Sequence, residues 1–550
     1  MTLTGALVMP PAARRRHQRR VGKLATAAVA LLWASACALG EEIRTYPGEK
    51  IGWRPCGRVR DRDVECSNMD VPMDQFDARN SGDKTFNLPL IRMRGRNATQ
   101  NLVLNPGGPG ESGMAFMYTN GGYLHDVVGE DFHLLSFDPR GVNMSRPAAR
   151  CYPDQETRRR KFRMNDPDAL TQSKERYAWT HNYVQGCVDN MGEHGKYINT
   201  PQTAADMNSI LDAVGQQPMV FWGFSYGSLL GQTYAALFPE RASRIIIDGV
   251  TNYFDWYEAR ILRGDFLDSM NVFDGFLEQC VQAGDRCELA SRAPDKDGLR
   301  RVVLDFLRRL KTHPIPVYVN ATTHGVLDHA VMLNSVIYGH LFMPSTWQTL
   351  AHHLAQVMDG NVTQAYLRYG RDEAIDTIDE ANDIIDLNDG LSGPAHWPQG
   401  RQALIDFLMP WYKSSPFFFQ MNREYYAKQQ WLIPRTHRFV PPRLVRTVHP
   451  MLIVSTTYDP VCPLASAEVA RDVFEGSRLV EVKGYGHCSL ALPSFCLTGH
   501  VRAYLGDGTL PDRHTICEPD RPYFYQQESH EMEHVSAQVV LSDVTRRRSS

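Results

Sequence analysis

Beyond the first forty residues the sequence has no apolar run long enough to span a bilayer, which excludes a polytopic membrane protein. It also lacks an excess of either charge. Lys and Arg number 59, Asp and Glu 62, so no basic surface points to nucleic acid. Internal repeats are absent. Cysteine is sparse, and eleven in 550 residues cannot staple a mini-protein without a core. With 43% hydrophobic and 22% charged residues, collagen-like, coiled-coil and disordered classes are excluded. The length allows a large core plus an insertion.

What is present begins with a leader. Arg14, Arg15, Arg16, Arg19, Arg20 and Lys23 precede the apolar stretch Leu24 to Gly40, and Glu41 and Glu42 follow it. A basic region, a short apolar region and a small-residue end form a secretory signal. Cleavage after Ala38 or Gly40 fits, and an uncleaved membrane anchor is the alternative. Removing residues 1–40 takes six bases and no acids, leaving a mildly acidic chain of net charge −9.

Cys37 lies inside the leader, and ten cysteines remain. An even set in an exported chain implies disulfides. Sequence neighbours suggest Cys56–Cys66, Cys151–Cys187, Cys280–Cys287 and Cys496–Cys517. Asn97, Asn143, Asn320 and Asn361 open glycosylation sequons.

Short apolar runs ending near Gly, Pro or Asp read as buried parallel strands. They are Asn101–Leu104, Phe132–Phe137, Met219–Gly223, Arg244–Asp248, Met451–Ser455 and Arg478–Val482. Helical patterns at Ala205–Val214 and Tyr226–Phe238 flank the third. The expected fold is α/β, a mostly parallel sheet with helices on both faces. Residues 41–250 and 446–528 form its two parts. Residues 251–445 are a mainly helical cap insertion over the carboxyl edge, and the polar tail 529–550 is expected to be disordered.

The chemistry gathers at strand ends. Gly223-Phe224-Ser225-Tyr226-Gly227 follows a strand and opens a helix, the setting of a nucleophile elbow. Asp459 and His487 follow the next two strands in the order such a fold requires. His487 would take the Ser225 proton and return it to the leaving group, while Asp459 orients the imidazole. Asp248, at the end of the fourth strand, is the rival acid and reads as structural. The Gly-rich turn Asn105–Gly113 aims backbone N–H groups at an oxyanion. Pro109 has no N–H, which leaves Gly108, with Tyr226 as the second donor.

These motifs carry a resemblance. GGPG at Gly107, DPRG at Asp138, GFSYG at Gly223, YDPVCP at Tyr458 and YGH at Tyr485 resemble the prolyl and tripeptidyl aminopeptidase family of α/β-hydrolases. Phe221–Val250 and the block Pro450–Cys517 are similar to its secreted tripeptidyl-aminopeptidase-like branch. The resemblance covers about residues 50–255 and 445–520. It implies an α/β-hydrolase fold, a Ser225/Asp459/His487 triad and cleavage near a free peptide N-terminus, with no metal or other cofactor. Asp138 and Arg140 match a motif that braces the active-site loops. Glu111 departs from the family pattern, where many relatives have Gly. Two readings of it stand, a carboxylate that binds a substrate ammonium and one that faces solvent.

If Asp459 and His487 meet, so do Cys462 and Cys488, and either a fifth disulfide or two buried thiols follows. Trp256, Tyr257, Trp411, Tyr412, Phe417–Phe419, Tyr425, Tyr426 and Trp431 read as core of the insertion or as an apolar pocket. Asp372, Glu373, Asp376, Asp379, Glu380, Asp383 and Asp386 recur at helical spacing, as a solvated face or a reader of substrate ammonium. His530–His534 matches H-E-x-x-H but lacks an apolar frame, so no zinc site is expected.

The expected function is a secreted serine aminopeptidase that removes short N-terminal units through an acyl-enzyme. A carboxylesterase or lactonase with the same triad is the alternative. A non-catalytic binding protein would lack the nucleophile or base, and here both are present. The expected partner is a peptide or small ester, with no nucleic acid and no membrane beyond the leader.

Overall fold

The computed structural model describes residues 43–161, 173–259, 262–370, 380–418, 422–437 and 439–524. The leader, the tail with His530 and His534, and Asp372, Glu373, Asp376, Asp379 and Phe419 lie outside the described residues.

The strands are β1 (Arg54–Val59), β2 (Arg62–Pro72), β3 (Thr85–Met93), β4 (Gln100–Asn105), β5 (Phe132–Phe137), β6 (Met219–Phe224), β7 (Ala242–Asp248), β8 (Ile315–Asn320), β9 (Thr323–Leu327), β10 (Leu452–Tyr458), β11 (Arg478–Tyr485) and β12 (His514–Cys517). Ten form one sheet in the order β1-β2-β3-β5-β4-β6-β7-β10-β11-β12, and β8 pairs with β9 apart from it. From β5 to β12 every pairing is parallel. The antiparallel strands β1 to β3 at one edge were not foreseen. β1 and β2 are largely solvated and mixed in composition, so they carry no continuous apolar run.

Parallel strands alternate their side chains between two covered faces. In β6, Val220, Trp222 and Phe224 join one apolar cluster, with Leu497 and Val501, while Met219 and Phe221 join the other. The first cluster packs under α1 (Gly113–Val128). The second packs under α2 (Thr200–Ala213) and α3 (Tyr226–Leu237). Side-chain caps start two of these helices, with Ser112 accepting from Ala115 N and Asn199 from Gln202 N.

Between β7 and β10 the chain is mainly helical. It includes α4 (Glu380–Asp389) and α5 (Asn422–Gln430). The apolar cluster under α2 and α3 continues without a break into this helical segment, through Trp256, Phe276, Trp347 and Tyr425. Trp256, Tyr257, Phe417, Phe418, Tyr425, Tyr426 and Trp431 are buried there as core.

The strand order places the site. β5 lies on one side of β4, and β6 on the other. Chain direction therefore diverges at β4, and loops leaving β4 and β6 open a crevice at the carboxyl edge. The register pairs Asn105 with Gly223. The Gly-rich turn and the serine turn thus emerge side by side.

Cys56–Cys66, Cys151–Cys187, Cys280–Cys287 and Cys496–Cys517 are bonded. A Cys462–Cys488 bond is not formed. Both are buried free thiols, engaged with different partners: Cys462 Sγ is 3.7 Å from Thr251 Oγ1, and Cys488 Sγ is 3.5 Å from Asp248 O. Asn97, Asn320 and Asn361 are exposed. Asn143 is exposed as well, and its Nδ2 donates to Asp138 Oδ2 (2.8 Å) and Ser112 Oγ (3.0 Å). That nitrogen is the one a glycan would need.

Candidate active site

β6 ends at Phe224 and α3 begins at Tyr226, so Ser225 alone makes the turn. Its backbone lies at φ 55° and ψ −124°, a strain of about 1–3 kcal/mol for a residue with a Cβ. Ser225 N–H donates to Asp248 O at 2.8 Å. Ser225 O accepts from Ser228 N–H at 2.8 Å and from Ser228 Oγ at 2.5 Å. The turn is tight enough that a Cβ on Gly223 would lie 2.2 Å from Gly227 O, and one on Gly227 2.6 Å from Asn105 O. Only glycine fits at either place.

Asp459 directly follows β10, and His487 lies two residues past β11. His487 Nδ1 is 2.9 Å from Asp459 Oδ2 and 3.0 Å from Oδ1. The fully buried Asp459 also accepts from the N–H groups of Val461 (2.9 Å), Cys462 (2.8 Å) and Cys488 (3.1 Å). The carboxylate is thereby fixed, and it fixes the imidazole by Nδ1, leaving Nε2 free of this pair. Burial by itself would push the His487 pKa down. The charge and hydrogen bond of Asp459, with smaller contributions from Glu111 and Asp248, outweigh it and raise the pKa above the ordinary imidazole value.

The helical segment closes over this pair. His487 N–H donates to Phe342 O at 2.8 Å, and the Phe342 ring meets the imidazole edge-on at 5.2 Å. No motif marks Phe342 in the sequence.

Asp248 does not reach the imidazole. Its carboxyl accepts from Ser489 N (2.8 Å), Ser489 Oγ (2.5 Å) and Trp222 Nε1 (3.3 Å). Burial pushes its pKa up to about 6, against those hydrogen bonds. Asp248 therefore joins the serine turn, through its carbonyl, to the histidine loop, through its carboxyl.

The Gly-rich turn lies against the serine. A Cβ on Gly107 would come within 2.9 Å of Ser225 Cβ and 3.1 Å of Tyr226 N. Gly107 N–H is used by Asn105 Oδ1 (3.1 Å). The exposed Gly108 N–H has no partner among the described residues. Tyr226 N–H is the first of its helix and lacks an intrahelical acceptor. Asp138 braces the end of this turn, accepting from Ser112 Oγ (2.6 Å) and Met114 N (3.2 Å). Arg140 is fully buried in a two-pronged pair with Asp206, at 2.7 and 2.5 Å.

The acids of α4 are not a solvated face. Glu380 accepts from Cys151 N (2.8 Å), Asp383 from Tyr183 OH (2.6 Å), and Asp386 from Lys428 Nζ (2.6 Å). Asp389, unforeseen, accepts from Thr200 N (2.7 Å) and Trp256 Nε1 (2.8 Å), and Thr200 Oγ1 bonds Tyr226 OH. Lys428, fully buried, also pairs with Glu424 at 3.2 Å. Asp386 Oδ1 is buried without a hydrogen bond. Asp265 completes the group. Burial, then Asp255, Glu424, Asp459 and Asp386, hold its carboxyl well above the usual range.

Among the described residues, Asp459, His487 and Cys488 place ligand atoms within 4.8 Å of one another. The carboxylate and imidazole of that set are already bonded to each other.

A family model described as "alpha/beta hydrolase fold" matches residues 100–286, and one described as "TAP-like protein" matches residues 419–517. The chain is 28% identical over 497 residues to "Serine protease Hip1" of Mycobacterium tuberculosis H37Rv, covering 86% of this chain and 91% of the relative. It is 26% identical over 498 residues to "Tripeptidyl aminopeptidase" of Streptomyces lividans, covering 85% and 87%. "Carboxylesterase B" of Mycobacterium tuberculosis CDC 1551 is 26% identical over 482 residues, covering 83% and 87%. With the sheet, the serine turn and the Asp–His pair in place, the chain combines an α/β-hydrolase fold with a TAP-like region and is a serine hydrolase.

Proposed function

We propose that the chain is an exported aminopeptidase that releases short units, of tripeptidyl or prolyl type, from the free N-terminus of peptides. Ser225 Oγ attacks the scissile carbonyl while His487 Nε2 takes its proton. Gly108 N–H and Tyr226 N–H receive the oxyanion. His487 then protonates the leaving amine, and water completes the cycle through the acyl-enzyme. Residues 41–250 and 446–528 act as the hydrolase core, with 251–445 as its lid.

The observation that carries the aminopeptidase reading is the charge beside the triad. Asp386 and Glu424 share a single ammonium, that of Lys428, and their charges act on the buried Asp265, which forms no ion pair with a described residue. Buried carboxylates in excess of their cations favour a cationic ligand, and a free peptide N-terminus supplies one. The relatives named as a serine protease and a tripeptidyl aminopeptidase support the same reading. Four disulfides fit an oxidising compartment, and the leader pattern supports export.

The test is a paired panel of free-amine mono-, di- and tripeptidyl chromogenic amides, their N-blocked twins and short acyl esters. The expected result is amide turnover that N-blocking abolishes, with the best length giving the unit released. Ester turnover with no amide turnover would replace this reading with a carboxylesterase.

A further inference from the structure

Glu111 places a carboxylate on the Gly-rich turn, within reach of the charge of His487. It closes the Gly-rich turn, donating from its backbone N–H to Gly107 O at 3.3 Å. Its side chain folds back over that turn, so that a Cβ built on Gly108 would lie 3.3 Å from Glu111 Cγ. The turn is anchored from the other side, because Pro109 O accepts from Asn382 Nδ2 of α4 at 2.8 Å. Water reaches Glu111, yet protein surrounds it closely enough that burial raises its pKa and the charge of His487 acts on it. Among the described residues its carboxylate accepts no hydrogen bond and forms no ion pair. By contrast Asp459 holds His487, Asp248 holds Ser489, and Asp386 and Glu424 share Lys428, while Asp265 is buried among other carboxylates.

The position of Glu111 relative to the reaction decides what it would meet. His487 must hand its proton to the departing group, so that group passes along the imidazole. The acyl carbonyl oxygen points at the N–H groups beneath. A side chain lying over Gly108 and within charge range of His487 therefore borders the leaving-group side of the scissile bond. An unpaired carboxylate on a fixed turn is pre-organised to attract a cation there.

We propose that Glu111 is a specificity-determining residue that selects substrates carrying a positive charge on the leaving group. In a peptide that is a Lys or Arg side chain on the first residue after the cleaved bond. The inference rests on the serine-hydrolase mechanism above. It does not depend on whether the natural bond is an amide or an ester, or on how the N-terminus is held.

The test compares the full chain with its Glu111→Gln and Glu111→Gly variants. One arm uses two phosphonothiolates that inactivate the serine by expelling a thiol. The thiol bears a trimethylammonium group in one and the neutral, equally shaped tert-butyl group in the other. A single event at Ser225 is read, so no acyl preference needs to be known. The thiol acidities differ, but by the same amount for all three proteins, so the ratio of cationic to neutral inactivation rates is compared between them; it is expected to fall at least about fivefold from the wild type in both variants. The second arm uses peptides that differ only in Arg, Ala or Glu just after the cleaved bond, and the kcat/KM ratios should move in parallel. A preference that is the same size in the wild type and both variants, or no preference in the wild type, overturns the proposal. A general loss of structure would slow both phosphonothiolates together and leave their ratio unchanged. Failure of the aminopeptidase reading would show separately, as equal hydrolysis of free and N-blocked substrates.

Discussion

His487 and Asp459 meet through both carboxylate oxygens, at 2.9 and 3.0 Å, and three backbone N–H groups hold that carboxylate from behind. The imidazole therefore has one orientation and one tautomer available to it. It also has a raised affinity for a proton.

The pH dependence of kcat/KM follows from this. In the proposed mechanism His487 must be neutral to accept the Ser225 proton, so activity should rise with pH through its pKa and be lost below it. Because burial is outweighed by Asp459, the midpoint should lie above the ordinary value of about 6.5. Asp459→Asn removes the charge and should move the midpoint down. It should also lower kcat by about 10³–10⁴-fold, as expected when the orienting acid of a triad is neutralised. A pH–rate profile of both proteins checks the pair of effects.

Asp248 offers a contrast with the same chemistry. It bonds Ser489 and Trp222 and not the imidazole. Asp248→Asn should therefore lower kcat far less than Asp459→Asn, by about tenfold or less, through looser positioning of the histidine loop. Equal losses in the two variants would mean that Asp248 serves as the acid.

Lys428 is buried between Asp386 and Glu424. Lys428→Met would leave both carboxylates without a cation. Breaking a buried pair in this way costs about 3–5 kcal/mol, so the variant should unfold at clearly lower denaturant concentration. Lys428→Arg should recover part of the loss.

Cys462 and Cys488 flank the pair, one three residues after Asp459 and the other directly after His487. Burial raises both thiols well above the usual range. Thiol titration of denatured, unreduced protein should find two thiols per chain in addition to Cys37 where the leader is retained. Native protein should react slowly, since neither sulfur is exposed or ionised.

Much of the candidate site's arrangement was legible because its residues sit where short-range rules are strict. A glycine-flanked serine between a buried strand and a helix leaves few structures open, and strand ends fix Asp459 and His487 in turn. The Phe342 contact was not legible. It joins residues 145 apart in the chain, and nothing local to Phe342 distinguishes it. The acids of α4 misled for a related reason. Their helical spacing reads as a wet face, yet Glu380, Asp383 and Asp386 are dry because Cys151, Tyr183 and Lys428 come from elsewhere to meet them. Spacing reports which side of a helix a residue occupies, not what covers that side. The Cys462–Cys488 question had the same limit, since closeness of two loops does not determine which way two sulfurs point.

The unbroken apolar cluster that runs from beneath α2 and α3 into the helical segment bears on how such an enzyme changes over evolution. A roof resting on a separate floor can be exchanged as a cassette. Here roof and floor share their interior, and the roof also supplies the carbonyl that holds the histidine loop. New substrate preferences are therefore more accessible by altering single residues that rim the crevice than by swapping the roof. The chain should also melt in a single calorimetric transition, with the roof and the sheet lost together.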